Sequence, residues 1–454
     1  MSETPNYEQI KSETLAALGA GENAVAFRNF RHCIEFGSEI PTGKSKVFAD
    51  AFALFTRITE QFGDDDFTNR VRFVAQNPND VQGLYDLGFG LYEESQFGIA
   101  AGVLARADKL APAEPAIVSE LVCALEGFND CQSAVEVLRR YPKLTGKQFL
   151  FAYLMSFNCL MSGDIASAVE FASTLPKLVE EDDHEAMAQR IYDFLARAQK
   201  VGGACELDEN DLRGWNYVTT GGILTMLSPY GYPDPMRGRF AYLQDSYENI
   251  RVGLESLKTI VENKRMKPKC IFALPGRNSQ IVATAASLIF DLPLEPWPVE
   301  DGSGKPGIIV GYDLGEIDLE LEPLSLHRPN QLLFFHAIQW TSSLPIAPDV
   351  VTLQHQKLVA PWEPGIRVDE ESSETVETEA DDRAPELIGK EIAELAVASA
   401  AAIVAAEGAT EGAAAEEAPP ELSVEFLDSL GPFPRDSGTR QQAWPNSPVK
   451  SARF

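Results

Sequence analysis

The sequence predicts an α-helical solenoid followed by an α/β domain with a mainly parallel sheet, and then an acidic tail without fixed structure. Three observations carry this. Ala100, Ala134 and Ala168 recur every 34 residues, each at the same point of a helix, short polar turn, helix segment. From Lys269 onward short β-rich runs alternate with helical stretches. From about Ile366 the composition shifts to Glu, Ser, Thr, Ala and Pro, with little to bury.

Aligning the repeats on the three alanines superposes Leu84 with Val118 and Ala152, Leu87 with Leu121 and Met155, Leu91 with Leu125 and Cys159, and Leu104 with Leu138 and Ala172. These are the expected core positions. The first repeat is the fullest: Leu84, Leu87, Gly88 and Leu91 on one helix, Ala100, Leu104 and Ala107 on the next, then Pro112. Small residues at Gly88 and Ala100 let two helices approach, and Pro112 ends the second because it lacks an amide donor. In this pattern residues 81–178 resemble the tetratricopeptide repeat family. The later repeats depart from it, with Val122 and Ser156 in the place of Gly88 and Gly146 in the place of Pro112. The flanks read as degenerate or capping hairpins. Residues 8–35 and 44–76 have helical apolar spacing, as in Phe52, Phe55, Ile58 and Phe62, but the register puts Asp66 where an alanine belongs. Residues 183–200, with Met187, Ile191, Phe194 and Leu195, read as a closing helix, so the helical domain is expected over 1–205.

The resemblance implies a concave groove that binds a protein or peptide partner. Its lining would be Gln82, Tyr85, Phe89 and Tyr92, then Ser119 and Cys123, then Tyr153, Phe157 and Leu160. Aromatics at these positions suit an apolar peptide or helix, since Tyr and Phe bury much area at low rotamer cost. The alternative is that they pack against neighbouring helices or the second domain. Phe89 stands where the family's carboxylate-clamp version carries an asparagine, which argues against capture of acidic C-terminal peptides.

Composition narrows the partners further. The chain has 454 residues, 44% of them hydrophobic, and a formal net charge of −30. Such a charge opposes binding to nucleic-acid backbones and to anionic membranes, both of which need basic patches. Residues 366–454 hold 19 acidic against 7 basic residues, and the remaining excess is spread over the folded part. Six cysteines are scattered without a CxxC pair, which fits buried thiols in a reducing compartment. Met1 to Lys11 is polar, without a secretory core, and the longest apolar run, Leu395 to Ala406, is too short to span a bilayer. The expectation is a cytoplasmic, bacterial protein without a membrane insertion, metal or cofactor.

The second domain is expected over 207–365. Its strands are predicted at Cys270–Leu274, Gly307–Tyr312, Gln331–His336 and Val350–Leu353, with a helix at Ser279–Phe290 and another at Leu243–Asn263. The stretch Trp215 to Tyr242, dense in Gly, Pro and aromatics, is read as an ordered cover over one end of the sheet. In the tail, 366–454, an alanine-rich helix is expected near 385–406 and a short docking element at Val424–Leu430.

The turn Gly276, Arg277, Asn278, Ser279 follows a strand and opens a helix, so free amides beside a guanidinium make a candidate site for a small anion. The alternative is that Asn278 or Ser279 caps the helix and Arg277 pairs with a carboxylate. Asp313 and His336, near the ends of other strands, would meet Arg277 on one edge of a parallel sheet. His327 and His355 carry less information. Strand, turn and helix here faintly resemble the opening of a type I phosphoribosyltransferase. The family's acidic pair and Thr-Gly-rich loop are missing, since Ile308–Val310 is followed by Gly311, Tyr312, Asp313, Leu314, Gly315 and Glu316. No Walker loop, GxSxG elbow or HExxH helix occurs. The sequence therefore favours a protein-interaction or scaffold protein that recruits a partner through its helical groove. The alternative is an enzyme of unassigned class whose C-terminal domain, Rossmann-like or phosphoribosyltransferase-like, binds an anionic metabolite.

Overall fold

The structure is a computed structural model that describes residues 7–232, 235–317, 322–368, 375–396, 420–435 and 437–451. It divides into two compact units, Met1–Ile191 and Tyr192–Phe454, the first helix-rich and the second built on a parallel sheet. The division falls inside a long helix, Asp182–Val201.

The first unit opens with α1 (Tyr7–Gly19), α2 (Asn23–Ile34), the short α3 (Glu39–Thr42), α4 (Ser45–Thr59) and α5 (Asp65–Gln76). Three helix pairs follow: α6 (Val81–Glu93) with α7 (Phe97–Leu110), α8 (Pro115–Gly127) with α9 (Cys131–Arg139), and α11 (Phe149–Met161) with α12 (Ile165–Ala172). The short α10 (Pro142–Thr145) links the second pair to the third, and α13 is the long helix Asp182–Val201. The first helices start at 81, 115 and 149 and the second at 97, 131 and 165, so the 34-residue period of the alanines is also the period of the helix boundaries. Each pair packs on the next through α7 against α8 and α9 against α11.

The period extends to the turns. Ser95, Asn129 and Gly163 each take a left-handed backbone, with φ of 57°, 61° and 85°. One such residue reverses the chain between paired helices, at little cost for Gly and Asn and more for Ser. Asp130 and Asp164 then cap α9 and α12, accepting the amides of Ser133 at 3.1 Å and Ser167 at 3.0 Å. All of the aligned core positions are buried, from Leu84 through Leu138 to Ala172.

In the flank before the repeats, phenylalanines replace the missing alanine contact. Phe48 stacks on Phe52 at 4.2 Å, and Phe55 meets Phe27, Phe30, Phe52 and Phe67. Arg106, 4% exposed, ties the loops there together by donating to the carbonyls of Pro78, Pro41 and Gly43 and to Ser45 and Asn79.

The second unit adds α14 (Leu212–Thr220), β1 (Ile223–Leu224), β2 (Phe240–Gln244), α15 (Tyr247–Asn263), β3 (Ile271–Ala273), α16 (Arg277–Phe290), β4 (Leu294–Pro296), β5 (Gly307–Asp313), α17 (Glu322–Ser325), β6 (Gln331–Gln339) and β7 (Val350–Val359). The sheet runs β1-β7-β6-β5-β3-β4, with β2 also on β7, and every pairing in it is parallel. Counting β3 to β7 as one to five, the order is 2-1-3-4-5, so the strand order reverses between β3 and β5. Fully buried runs such as Ile308–Tyr312 and Leu332–Ala337 are what a parallel sheet covered on both faces requires.

Two expectations need correction here. Trp215 to Tyr242 is not a cover over the end of the sheet: it supplies α14 and both strands that occupy the outer edge of β7, β1 beside Val350 and Val351 and β2 beside His355 to Val359. Phe240 and Leu243 then join Met226, Val252, Ala337 and Leu353 in one buried cluster. Pairing satisfies a row of backbone groups that an open edge would leave bare.

The tail is also structured where it is described. β8 (Gly365–Val368) and β9 (Thr375–Thr378) form an antiparallel pair, α18 (Pro385–Glu394) packs on α16, and the helix Val424–Ser429 buries Phe426 against Tyr217 at 6.2 Å between rings. Arg440, 5% exposed, donates to Asp349 and to the carbonyls of Leu324 and Leu326. Composition misled because sparse apolar anchors, Phe426, Leu427, Leu430, Ala443 and Val449, are each well buried. The remainder of the alanine-rich helix expected near 385–406 lies outside the described residues.

Candidate functional site

Two places were legible in the sequence, a face of the helical pairs and the carboxyl edge of the sheet. On α6 the residues Leu84, Leu87, Gly88 and Leu91 are buried, which turns Gln82, Tyr85, Phe89 and Tyr92 to the other side. Tyr85 and Phe89 stack at 6.5 Å and 20°, one turn apart, and Phe89 stays 43% exposed. Gln82 donates to Asp86 at 2.8 Å, and Tyr92 meets Phe97 edge-on at 5.4 Å. On α8, Ser119 and Cys123 are half-buried, and Ser119 Oγ donates back to the carbonyl of Ala116.

The same face carries carboxylates that sequence reasoning missed. Glu126 follows Ser119 and Cys123 at helical spacing, and that spacing was the signal that would have found it. Burial pushes its carboxyl up to about 7, although Asn158 Nδ2 donates to it at 2.5 Å. Burial, with Glu93 nearby, raises Glu120 as well. Burial and the charges of Glu126 and Glu120 hold the Cys123 thiol strongly protonated. The phenols are raised in the same way, Tyr85 by burial with Glu120 and Asp86, and Tyr92 by burial with Cys123, Glu126 and Glu120. Aromatic and acidic groups thus interleave across α6 and α8.

The third pair differs. Tyr153, Phe157 and Leu160 are 7%, 5% and 0% exposed, so these three do not line an open surface. Phe149, Tyr153 and Phe157 form a stacked ladder at 6.3 Å intervals, which His184 of α13 closes by stacking on Phe149 at 3.9 Å and 7°. Arg190 donates to the Tyr153 hydroxyl at 3.0 Å. A nearly all-apolar α11 is buried at every position but Leu150, and α13 contributes part of its cover.

The carboxyl edge engages each of the expected residues with protein. Gly276, at φ 97°, makes the turn into α16. Arg277 Nη2 donates to the carbonyls of Asp381 and Arg383. Asn278 donates to the Glu316 carboxylate at 3.0 Å and accepts from Trp362 Nε1 at 2.7 Å. Ser279 Oγ accepts the Tyr312 amide. The crevice between β3 and β5 therefore holds a protein carboxylate, Glu316, beside the start of α16, and Trp362 with residues 381–383 bonds across it.

Asp313 and His336 do not converge on Arg277. Asp313 Oδ2 lies 3.0 Å from His355 Nε2, and Asp313 Oδ1 accepts the Gly315 amide. His336 is fully buried behind Tyr312, whose ring stacks on it at 5.6 Å and 12°. Its Nε2 is 3.0 Å from Asp245 Oδ2, poorly aligned for donation, and the Tyr312 hydroxyl donates to the same oxygen at 2.9 Å. Long strands of a parallel sheet put such residues at one end, but only their neighbours decide whether that end is open. Among the described residues no group of His, Cys, Asp and Glu could hold a metal ion, and no helix is long and apolar enough to cross a membrane.

No family model matches the chain, and no curated protein matches it. Among solved structures it is similar to one described as a functional characterization of Pseudomonas aeruginosa pilF, at 16% identity over 43% of this chain and 85% of that one, with a TM-score of 0.25. At that score the likeness carries no argument for fold or function.

Proposed function

We propose that the helical unit, expected over 1–205 and ending at Ile191 in the structure, is a tetratricopeptide-type solenoid that docks a protein partner on the α6 and α8 face, making the chain an interaction or scaffold protein. The single observation that supports this most is the Tyr85–Phe89 stack, left half-exposed on the face opposite the buried residues of α6. Rigid aromatics on a firm helix are effective anchors because little rotamer freedom is lost on contact. The partner segment is one that presents apolar and basic side chains together. Its apolar groups meet Tyr85, Phe89 and Tyr92, and its Lys or Arg meets Glu120 and Glu126 and the faces of the rings. The six free cysteines are consistent with a reducing compartment, the cytoplasm in this reading.

Selection of displayed peptides on the full chain tests this. Enriched peptides should combine Leu, Ile or Phe with Lys or Arg, and Tyr85→Ala with Phe89→Ala should weaken them about 10-fold or more. Peptides that bind equally well to that double variant, or that are acidic, would sink the reading.

A further inference from the structure

A second place in the chain concentrates charge of the opposite sign. A recess of about 540 Å³, counting the solvent at its mouth, lies at the amino-terminal end of β1 and β7, on the other edge of the sheet from Arg277. Its wall includes Arg197, Lys200, His327, Arg435, Arg440 and Gln441. In a chain of net charge −30, four basic side chains around one recess need a physical reason.

Arg440 has one, since Asp349 accepts from its Nη2 at 2.6 Å. Arg435 pairs with Asp193 at 3.2 Å at the exposed rim. Arg197 is different. It is 4% exposed, and its guanidinium donates only to neutral oxygens, the carbonyl of Asp193 at 3.2 Å and the side chain of Gln441. Among the described residues no carboxylate lies within ion-pair distance of it. Burial and the like charge of Arg435, partly opposed by Asp193, push it down to about 10, still cationic at neutral pH. A buried cation with no carboxylate in direct contact is costly even with the charge of Asp193 one turn away, and a bound anion would offset that cost.

The surroundings match. Lys200 is exposed at the mouth. Thr220 and Thr439 add hydroxyls to the wall. Gly221 takes φ 80° directly over the guanidinium, where a Cβ would stand 2.6 Å from Arg197 Nη1. The absence of a side chain there lets the backbone lie close against the guanidinium. His327 is pushed down to about 4, first by burial and then by arginines 440, 435 and 197, against the opposing charge of Asp349 at 3.5 Å.

We propose that this recess is an oxyanion site that takes a phosphate group, with Arg197 at its base and Lys200 and Arg435 at its mouth. The doubly charged, many-oxygen phosphate suits several cations converging from different elements, and planar guanidinium forks match its geometry. The group is either inorganic phosphate or the phosphate of a small metabolite. The site is independent of the helical docking face, so either reading can fail without the other.

The test is thermal unfolding and calorimetry of the full chain with inorganic phosphate, a sugar phosphate and sodium chloride at equal ionic strength. Phosphate should raise Tm above chloride by mass action. Lys200→Gln with Arg435→Gln, both on exposed side chains, should weaken binding about 10-fold or more without unfolding the chain. Arg197→Met should abolish the phosphate effect and raise Tm in phosphate-free buffer, because it removes a buried charge that no carboxylate contacts directly. A stronger response to the sugar phosphate identifies the metabolite as the source, and an equal one identifies the free ion. Equal shifts in phosphate and chloride, an undiminished shift in the rim variant, or a lower Tm for Arg197→Met in phosphate-free buffer would each overturn the proposal.

Discussion

A methyl group on Gly88 would stand 2.6 Å from Leu104 Cγ, so the first helix pair of the repeats is closed by one glycine fitted against one leucine. In an exposed helix interior, Gly→Ala stabilises by about 1 kcal/mol. Here overpacking wins, because Leu104 is fully buried and its branch point, not a free end, meets the new atom. Gly88→Ala should destabilise the first unit by about 1–3 kcal/mol in urea unfolding. Gly88→Ala should cost less in a Leu104→Ala background than in the parent, and a strictly additive double mutant would refute the contact.

Glu126 makes stability fall as pH rises. Its carboxyl is raised from 4.5 to about 7 in the fold, so the native state holds its proton where the unfolded state has lost it. The chain is therefore most helped by this group below about pH 4.5, and loses that help progressively up to about pH 7. Glu126→Gln should flatten that slope, and near pH 8 it should be more stable than the parent by at most about 3 kcal/mol. A basic partner would pull the carboxyl back down, so its binding should release a proton and tighten between pH 5 and 7, which calorimetry in two buffers measures.

Arg440 and Asp349, both about 95% buried, are 91 positions apart and hold the last segment to the start of β7. Arg440→Ala leaves the buried Asp349 carboxylate with the Leu333 amide and His327, a group held neutral, and should cost the second unit about 3–5 kcal/mol. A chain ending at residue 430 should show the same loss, read by the urea midpoint. If the shortened chain is as stable as the whole, the tail is not part of this fold.

Asp164 caps α12 through the Ser167 amide. Asp164→Ala should cost about 1 kcal/mol, and Asp164→Asn much less, because an amide oxygen still accepts that bond. The paired measurement separates the cap from the exposed ion pair with Arg139 at 3.4 Å, which both variants lose.

Much of the helical unit was legible because its determinants are local and repeat. The alanine interval reappears in helix starts, in the left-handed turn residues Ser95, Asn129 and Gly163, and in the caps Asp130 and Asp164. Strands β5 to β7 were legible as apolar runs, but β1, β2 and β4 were not, being two to five residues long and dependent on a neighbour for their pairing. Of the candidate residues, Tyr85 and Phe89 stay accessible, while Tyr153, Phe157 and Leu160 are covered. Their helical phase is the same, but in the third pair α13 brings His184 onto Phe149 and Arg190 onto Tyr153.

The sequence by itself determined that helices pair every 34 residues and that a parallel sheet follows, because periodicity and strand hydrophobicity act over a few turns of chain. The tertiary structure alone decided what is open. It seated Glu316 and Trp362 around Asn278, buried His336 behind Tyr312, and brought Arg197, Arg435 and Arg440 to one recess from positions more than 230 residues apart. Exposure and net local charge are sums over neighbours in space, and a single chain pattern does not carry those sums.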